Sequence, residues 1–462
     1  MKKVFVLGID GAMPEKVFGE WLNELPNIKR LISDGCYAKL NSTIPPLTAV
    51  AWTSMTTGTS PANHGIFEYI FRKNNSYTDW GVITSKNIME KTFWEIASEN
   101  NKMSLVCLVP ISWPIKPFNG IMVSGFLTPN IESDYTLPLE LKEEIKNLFD
   151  EPFIIDIYDH RKLSKRQLLE QCYKMTEMHF KLMKYLIKDK EWELFFGIMA
   201  VSDWVNHGFF KYMDKSHRNY EPNSEFKDAL KNYYKFIDKN LGELINLLEE
   251  DTSIIIVSDH GMTRMHNRFN LSDWLLSEGY LVLKEMPITK SQLKPDMIDW
   301  TKTKAWAIGA YECQIFINLK GREPQGIVNE ADYDNLIIEI QEKLSKIKGD
   351  DSSILNTKFF TKKEHFIGKR NHNAPDLMVY FDNLRYGCNN SFVHNETIWN
   401  IETLKGSDDA GHSRQGIFIM KNKDSIAKGN LGEIDILDIA PTVLNLMGLK
   451  IPEYMNGKII SG

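Results

Sequence analysis

Three apolar runs in this 462-residue chain end in aspartate: Asp10 in VLGIDG, Asp203 in MAVSDWVNHG and Asp259 in IIVSDHGM. A strand-end carboxylate often serves only to cap the next helix or turn. The histidines beside these carboxylates suggest more. His260 follows Asp259 directly, and His207 follows Asp203 by four positions, one helical turn, so that Asp203 and His207 can face one ion. His412, in DDAGHSRQGIF, precedes a further apolar run. Alone it reads as a structural or surface residue; with the others it completes a ligand set. Aspartate and histidine without cysteine form the donor set of a hydrolytic zinc or manganese centre. Converging like charges would also demand a compensating cation.

A second concentration of chemistry lies in STIPPLTAVAWTSMTTG. Pro45 and Pro46 predict an extended entry, followed by a short helix from about Ala49 to Thr57 that stops at Gly58. Thr48 is then the N-cap. Its location serves two roles: to cap the helix, or to act as a nucleophile beside backbone N–H groups and the positive end of the helix dipole. A metal at the hydroxyl would lower its pKa further. Thr53, Ser54, Thr56 and Thr57 fall inside the helix and read as structural, some bonding back to i−4 carbonyls.

The elements that must position these residues follow an α/β pattern. KVFVLGID, MSLVCLVP, ELFFGIMAVSD and SIIIVSDHG read as buried parallel strands. Between them lie amphipathic helices, among them EWLNELPNIKRLISDG, SKRQLLEQCYKMTEMHFKLMKYLIKD and FKDALKNYYKFIDKNLGELINLLEE. This predicts a central, mostly parallel sheet with helices on both faces. In such sheets the carboxyl ends of the strands form the ligand crevice, where the three aspartates would meet. After SDHGM the texture changes: FNLSDWLLSEGYLVLK reads as a helix and a strand, YDNLIIEIQEKLSKI as a helix, and KFFTKKEHF and PDLMVYFDN as strands. A smaller α+β subdomain is therefore expected between about Met286 and Asn400, inserted between core segments 1–285 and 401–462. GIFIMKNK and EIDILDIAPTVLNLMGL supply a last strand and a capped helix.

Composition excludes several function classes. The chain is 43% hydrophobic and 25% charged, an ordinary globular balance, with a formal net charge of −6 and no Lys/Arg block. Electrostatic binding to nucleic acid or to an anionic membrane is not expected. The five cysteines are scattered without CxxC spacing, so neither a disulfide framework nor a thiolate zinc site is suggested. The N-terminal apolar run spans about five residues, shorter than the roughly 7 to 15 of a signal h-region. A cytoplasmic location and no membrane span are the expectation. His64, His266 and His372 read as turn or loop residues, and Trp52, Phe67, Tyr69, Phe209 and Phe210 as core.

Taken in order, Asp10, Thr48, SDWVNHG, SDHGM and GHSRQGIF resemble the alkaline phosphatase superfamily. The set is most similar to its type I phosphodiesterase/nucleotide pyrophosphatase branch and the phosphohydrolase or phosphomutase relatives of that branch. NLKGREPQGIV, Asn318 to Val328, also resembles those relatives. The resemblance implies one metal held by Asp203, His207 and His412, and a second held by Asp10, Asp259 and His260 with Thr48 beside it as nucleophile. It implies zinc, with manganese as the alternative, and a phosphothreonine intermediate. The expected substrate is a small phosphodiester or phosphoanhydride, such as a nucleotide. Phosphomonoesterase, phosphonate hydrolase and phosphomutase are alternatives on the same ions, as is an inactive metal-binding regulatory protein. Where nucleotide pyrophosphatases carry an asparagine three positions after the nucleophile, this chain has Ala51. The sulfatase CxPxR signature is absent. Arg322 and Arg414 are the candidate contacts to substrate phosphate.

Overall fold

The computed structural model describes residues 2–158, 162–309, 311–392, 398–400, 409–423 and 428–460. Its centre is a nine-stranded sheet: β1 (Val4–Ile9), β2 (Cys36–Asn41), β3 (Ser104–Val109), β4 (Gly120–Ser124), β5 (Thr136–Leu137), β6 (Leu194–Met199), β7 (Ser253–Val257), β8 (Gln415–Lys421) and β9 (Gly429–Asp435). The spatial order is β9-β2-β8-β7-β1-β6-β3-β4-β5. β8 runs antiparallel to both its neighbours and β5 antiparallel to β4; the other pairings are parallel.

Every residue of β1, β3, β6 and β7 is buried, as strands covered on both faces must be. On one face Phe5, Leu7 and Ile9 pack with residues of the helices α2 (Lys165–Asp189), α3 (Val201–Met213) and α4 (Ala229–Ile245). On the other, Val4 and Val6 pack with Trp52 and Met55 of α1 (Thr48–Thr57) and with Val443 and Leu444 of α5 (Ile439–Leu446). Ser164 opens α2 with a reciprocal cap, its side chain accepting from the Gln167 N–H while Gln167 reaches back.

Three local expectations change. The segment EWLNELPNIKRLISDG is not one helix: it breaks into turns of π and 3₁₀ type before a helix over Pro26–Asp34. Pro26 has no N–H to give an interior helical bond, so it starts a helix instead of continuing one. YLVLK forms no continuous strand; Leu283 makes a single bridge to Ile298, and the Tyr280 carbonyl accepts from Lys304 and Ala305. Thr48 is the first residue of α1, not its cap: extended Leu47 holds that position, and no side chain caps the helix. Gly58 ends α1 at φ 64°, the left-handed conformation that glycine adopts without strain.

A second sheet joins Ala305–Ile308, Cys313–Ile317, Leu377–Phe381, Tyr386–Asn389, Asn267–Asn270 and Trp399–Asn400 in that order, with Thr357–Thr361 added on Leu377–Phe381. Helix Glu330–Leu344 buries Leu336, Ile337 and Ile340 against it. Gly261–Arg264, just after β7, pairs antiparallel with Ala410–Ser413, just before β8. This ribbon brings the outgoing and returning chain side by side. It sets His412 opposite Met262, two residues from His260.

Candidate active site

Asp10 follows β1, Asp203 and His207 lie on α3, Asp259 and His260 follow β7, and His412 arrives on the returning ribbon. Thr48 enters from the start of α1. The sheet order explains the meeting: β7, β1 and β6 are adjacent and parallel, so the segments that follow them open on one edge.

The distances define two overlapping groups. Asp203, His207 and His412 form one, and Asp10, Asp203 and His260 the other, each with its ligand atoms within 4.8 Å of one another. In the first, His207 Nε2 stands 3.2 Å from His412 Nε2, and these nitrogens lie 3.4 and 3.6 Å from Asp203 Oδ1. In the second, His260 Nε2 is 3.5 Å from Asp10 Oδ1 and 3.1 Å from Asp259 Oδ2. Thr48 Oγ1 lies 3.3 Å from the same nitrogen. The residue set is thus brought together, with Asp203 common to both groups.

The hydrogen bonds around the rings fix what these atoms can do. Nδ1 of His207 faces the Ala410 carbonyl at 3.0 Å, Nδ1 of His412 the Pro46 carbonyl at 2.8 Å, and Nδ1 of His260 the Gly261 carbonyl at 3.1 Å. A carbonyl only accepts, so each Nδ1 carries the proton and each Nε2 presents a lone pair. The carboxylates are prepared in the same way. Asp10 Oδ2 accepts from the Trp52 indole at 2.9 Å and Asp259 Oδ1 from the Gly11 N–H at 3.3 Å, while Asp10 Oδ1 and Asp259 Oδ2 are buried without a hydrogen-bond partner. Lone pairs and anionic oxygens facing one another at 3.1–3.6 Å repel unless a cation lies between them. The donor set, the tautomers and the unpartnered oxygens therefore fit divalent metal ions.

Electrostatics agree. Burial, then the neighbouring Asp203, pushes the Asp10 carboxyl well above its ordinary range; burial, then Asp10, does the same to Asp259. Burial pushes His260 down to about 3, and burial followed by the other two histidines holds His412 well below its ordinary value. Neutral imidazoles are the form that binds metal.

Outside this set, Thr53, Thr56 and Thr57 bond back to the carbonyls of Ala49, Trp52 and Thr53. Ser54 meets His64 Nε2 at 2.8 Å while His64 Nδ1 accepts from the Ile66 N–H, so His64 is a buried packing residue. Arg322 is committed elsewhere: its guanidinium grips Asp376 through two bonds of 2.6 Å and also reaches Glu323 and the Ile317 carbonyl. This corrects its expected role as a substrate contact, because a bidentate carboxylate occupies the fork that a phosphate would need. Arg414 is half-buried and donates to the Ser42 carbonyl at 3.2 Å.

Two residues beside this cluster have roles that the sequence does not show. Tyr311, from the turn between two strands of the second sheet, stacks on His412 with centroids 4.6 Å apart and brings its hydroxyl to 3.4 Å from His207 Nε2. Nothing local marks it, since its partners lie about a hundred residues away in either direction. Trp52, read as core, is core and also a donor to Asp10; its signal was its spacing of one turn from Thr48.

The sequence matches the type I phosphodiesterase/nucleotide pyrophosphatase family over residues 4–391. No curated protein matches it in sequence. Among solved structures, murine ectonucleotide pyrophosphatase/phosphodiesterase 5 superposes with a TM-score of 0.57 at 13% identity, covering 99% of this chain and 98% of that one. An inactive threonine-to-alanine variant of the murine protein in complex with AMP gives the same values. The human protein gives 0.56 at 14%, covering 99% and 97%. These likenesses show the alkaline phosphatase-like fold. With the family match spanning nearly the whole chain, the protein is a member of the type I phosphodiesterase/nucleotide pyrophosphatase family and a phosphoric ester hydrolase.

Proposed function

We propose that the protein hydrolyses a small nucleotide phosphodiester or phosphoanhydride by double displacement through Thr48. The observation that carries this is the position of the Thr48 hydroxyl at the first turn of α1, 3.3 Å from His260 Nε2 and beside the unpartnered oxygens of Asp10 and Asp259. Asp203, His207 and His412 would hold one ion and Asp10, Asp259 and His260 the other, with Asp203 placed to serve both; zinc suits the mixed imidazole and carboxylate donors. When bound, the ions supply positive charge for the attacking hydroxyl and for the phosphoryl oxygens.

Thr48 Oγ1 forms a bond to phosphorus as the bond to the leaving oxygen breaks, giving a phosphothreonine ester; the hydroxyl proton passes to solvent and the leaving oxygen takes one up from it. Water then attacks the same phosphorus, Thr48 leaves, and the free hydroxyl returns. The N–H groups of Ala49 and Val50 lie in the first turn of α1, which no side chain caps, and would be available to donate to the phosphoryl oxygens, for which Ala51 offers no side-chain donor. A nucleotide substrate is supported by the family and by the AMP held in the related murine structure. The five cysteines are free and buried, which supports a reducing, cytoplasmic setting. Among the described residues no helix is long and apolar enough to cross a membrane.

Turnover of bis(4-nitrophenyl) phosphate against 4-nitrophenyl phosphate tests the reading, with Thr48→Ala as the variant. The diester should be the faster substrate and the variant should lose nearly all activity. Faster monoester turnover refutes the diesterase assignment, and undiminished activity in the variant refutes the nucleophile.

A further inference from the structure

The geometry points to Trp52 as a positioning residue that selects which oxygen of Asp10 serves the ion that Asp10, Asp259 and His260 would hold, and ties the register of Thr48 to it. The inference rests on the two-ion reading of the cluster.

A carboxylate has two equivalent oxygens, and rotation about Cβ–Cγ exchanges them. Here they are made unequal. The Trp52 indole donates to Oδ2 at 2.9 Å, and Oδ1 is left buried without a hydrogen-bond partner, 3.5 Å from His260 Nε2. Such a donor holds the ligand in one orientation and decides which lone pairs remain for the metal. Because Trp52 lies one turn after Thr48 on α1, the same bond connects the nucleophile's helix to the end of β1.

β1 is shaped for this contact. Gly8 and Asp10 share the face that carries Val4 and Val6, and a Cβ at Gly8 would lie 2.3 Å from Cη2 of the Trp52 ring. The ring therefore fills the space a side chain at position 8 would occupy and arrives edge-on beneath Asp10. It is 1% exposed and tilts against Phe196 at 6.3 Å. Phenylalanine would keep the aromatic packing; the carboxylate oxygen needs a hydrogen-bond donor, which the indole supplies.

Trp52→Phe separates the two roles, since it keeps the aromatic bulk and removes the donor. Trp94→Phe is the control: Trp94 belongs to the same core cluster and stacks on Phe196 at 5.9 Å. Zinc affinity and stoichiometry are read for the purified chains by competition with a chromophoric chelator and by elemental analysis, independently of turnover. Wild type and Trp94→Phe should bind two ions alike, while Trp52→Phe keeps one and binds the other roughly 10- to 100-fold more weakly. Gly8→Ala, which must displace the ring, should weaken the same ion. Wild-type affinity for both ions in Trp52→Phe overturns the inference, as does an equal loss in Trp94→Phe. A wild-type chain that binds fewer than two ions overturns the two-ion reading itself.

Discussion

Glu312→Gln should stabilise the protein in mild alkali. Glu312 sits just before the second sheet's Cys313–Ile317 strand, 1% exposed, and accepts from the Gln314 side-chain amide at 2.7 Å, as Glu68 does at 3.2 Å. One of its oxygens, Oε2, has no hydrogen-bond partner. Burial raises the Glu312 carboxyl from 4.5 to about 7, and burial followed by repulsion from Glu312 raises Glu68 to about 8. Folded-state values above the unfolded ones mean that the native state binds more protons between about pH 4.5 and 8, so stability falls as pH rises through that window. For Glu312 alone that rise corresponds to about 3 kcal/mol. The amide keeps an acceptor for Gln314 and removes the charge, which also relieves Glu68. Denaturant unfolding at a series of pH values reads the effect. The variant should match wild type near pH 4.5 and exceed it by about 3 kcal/mol near pH 8.5. Parallel profiles, or a variant less stable in alkali, would refute the reasoning.

Asp203→Asn should weaken both bound ions, because Asp203 belongs to both ligand groups, whereas Asp10→Asn should weaken one; elemental analysis after dialysis distinguishes them. Arg322→Ala should cost about 3–5 kcal/mol of stability by stranding the buried Asp376 carboxylate, a loss visible in denaturant unfolding. Asp238→Ala should cost on the order of 2 kcal/mol, because Asp238 accepts from the Asn27 and Ile28 N–H groups at the uncapped start of helix Pro26–Asp34; the same unfolding assay checks it.

Much of the candidate cluster was legible because its residues sit where chain grammar changes, at the ends of buried apolar runs. Asp10, Asp203 and Asp259 each close such a run, and His207 and His260 stand within a turn of them. The β1, β3, β6 and β7 strands were equally plain, since burial on both faces leaves uninterrupted apolar sequence. Cooperation between distant segments was harder to read. Thr48 looked like a cap because a hydroxyl before a helix usually is one; Leu47 takes that position, and the hydroxyl turns toward His260. Tyr311 and the Glu68–Glu312 pair depend on contacts between the second sheet and segments distant in sequence, which no local pattern encodes. Nothing near Arg322 in sequence marks its commitment, because its partner Asp376 lies 54 residues away.

Double displacement at Thr48 is tested most directly by the stereochemical course at phosphorus. With a chiral phosphorothioate diester and isotopically labelled water, two successive in-line displacements should give net retention of configuration. Net inversion would mean that water attacks the substrate in a single step, and would contradict the account.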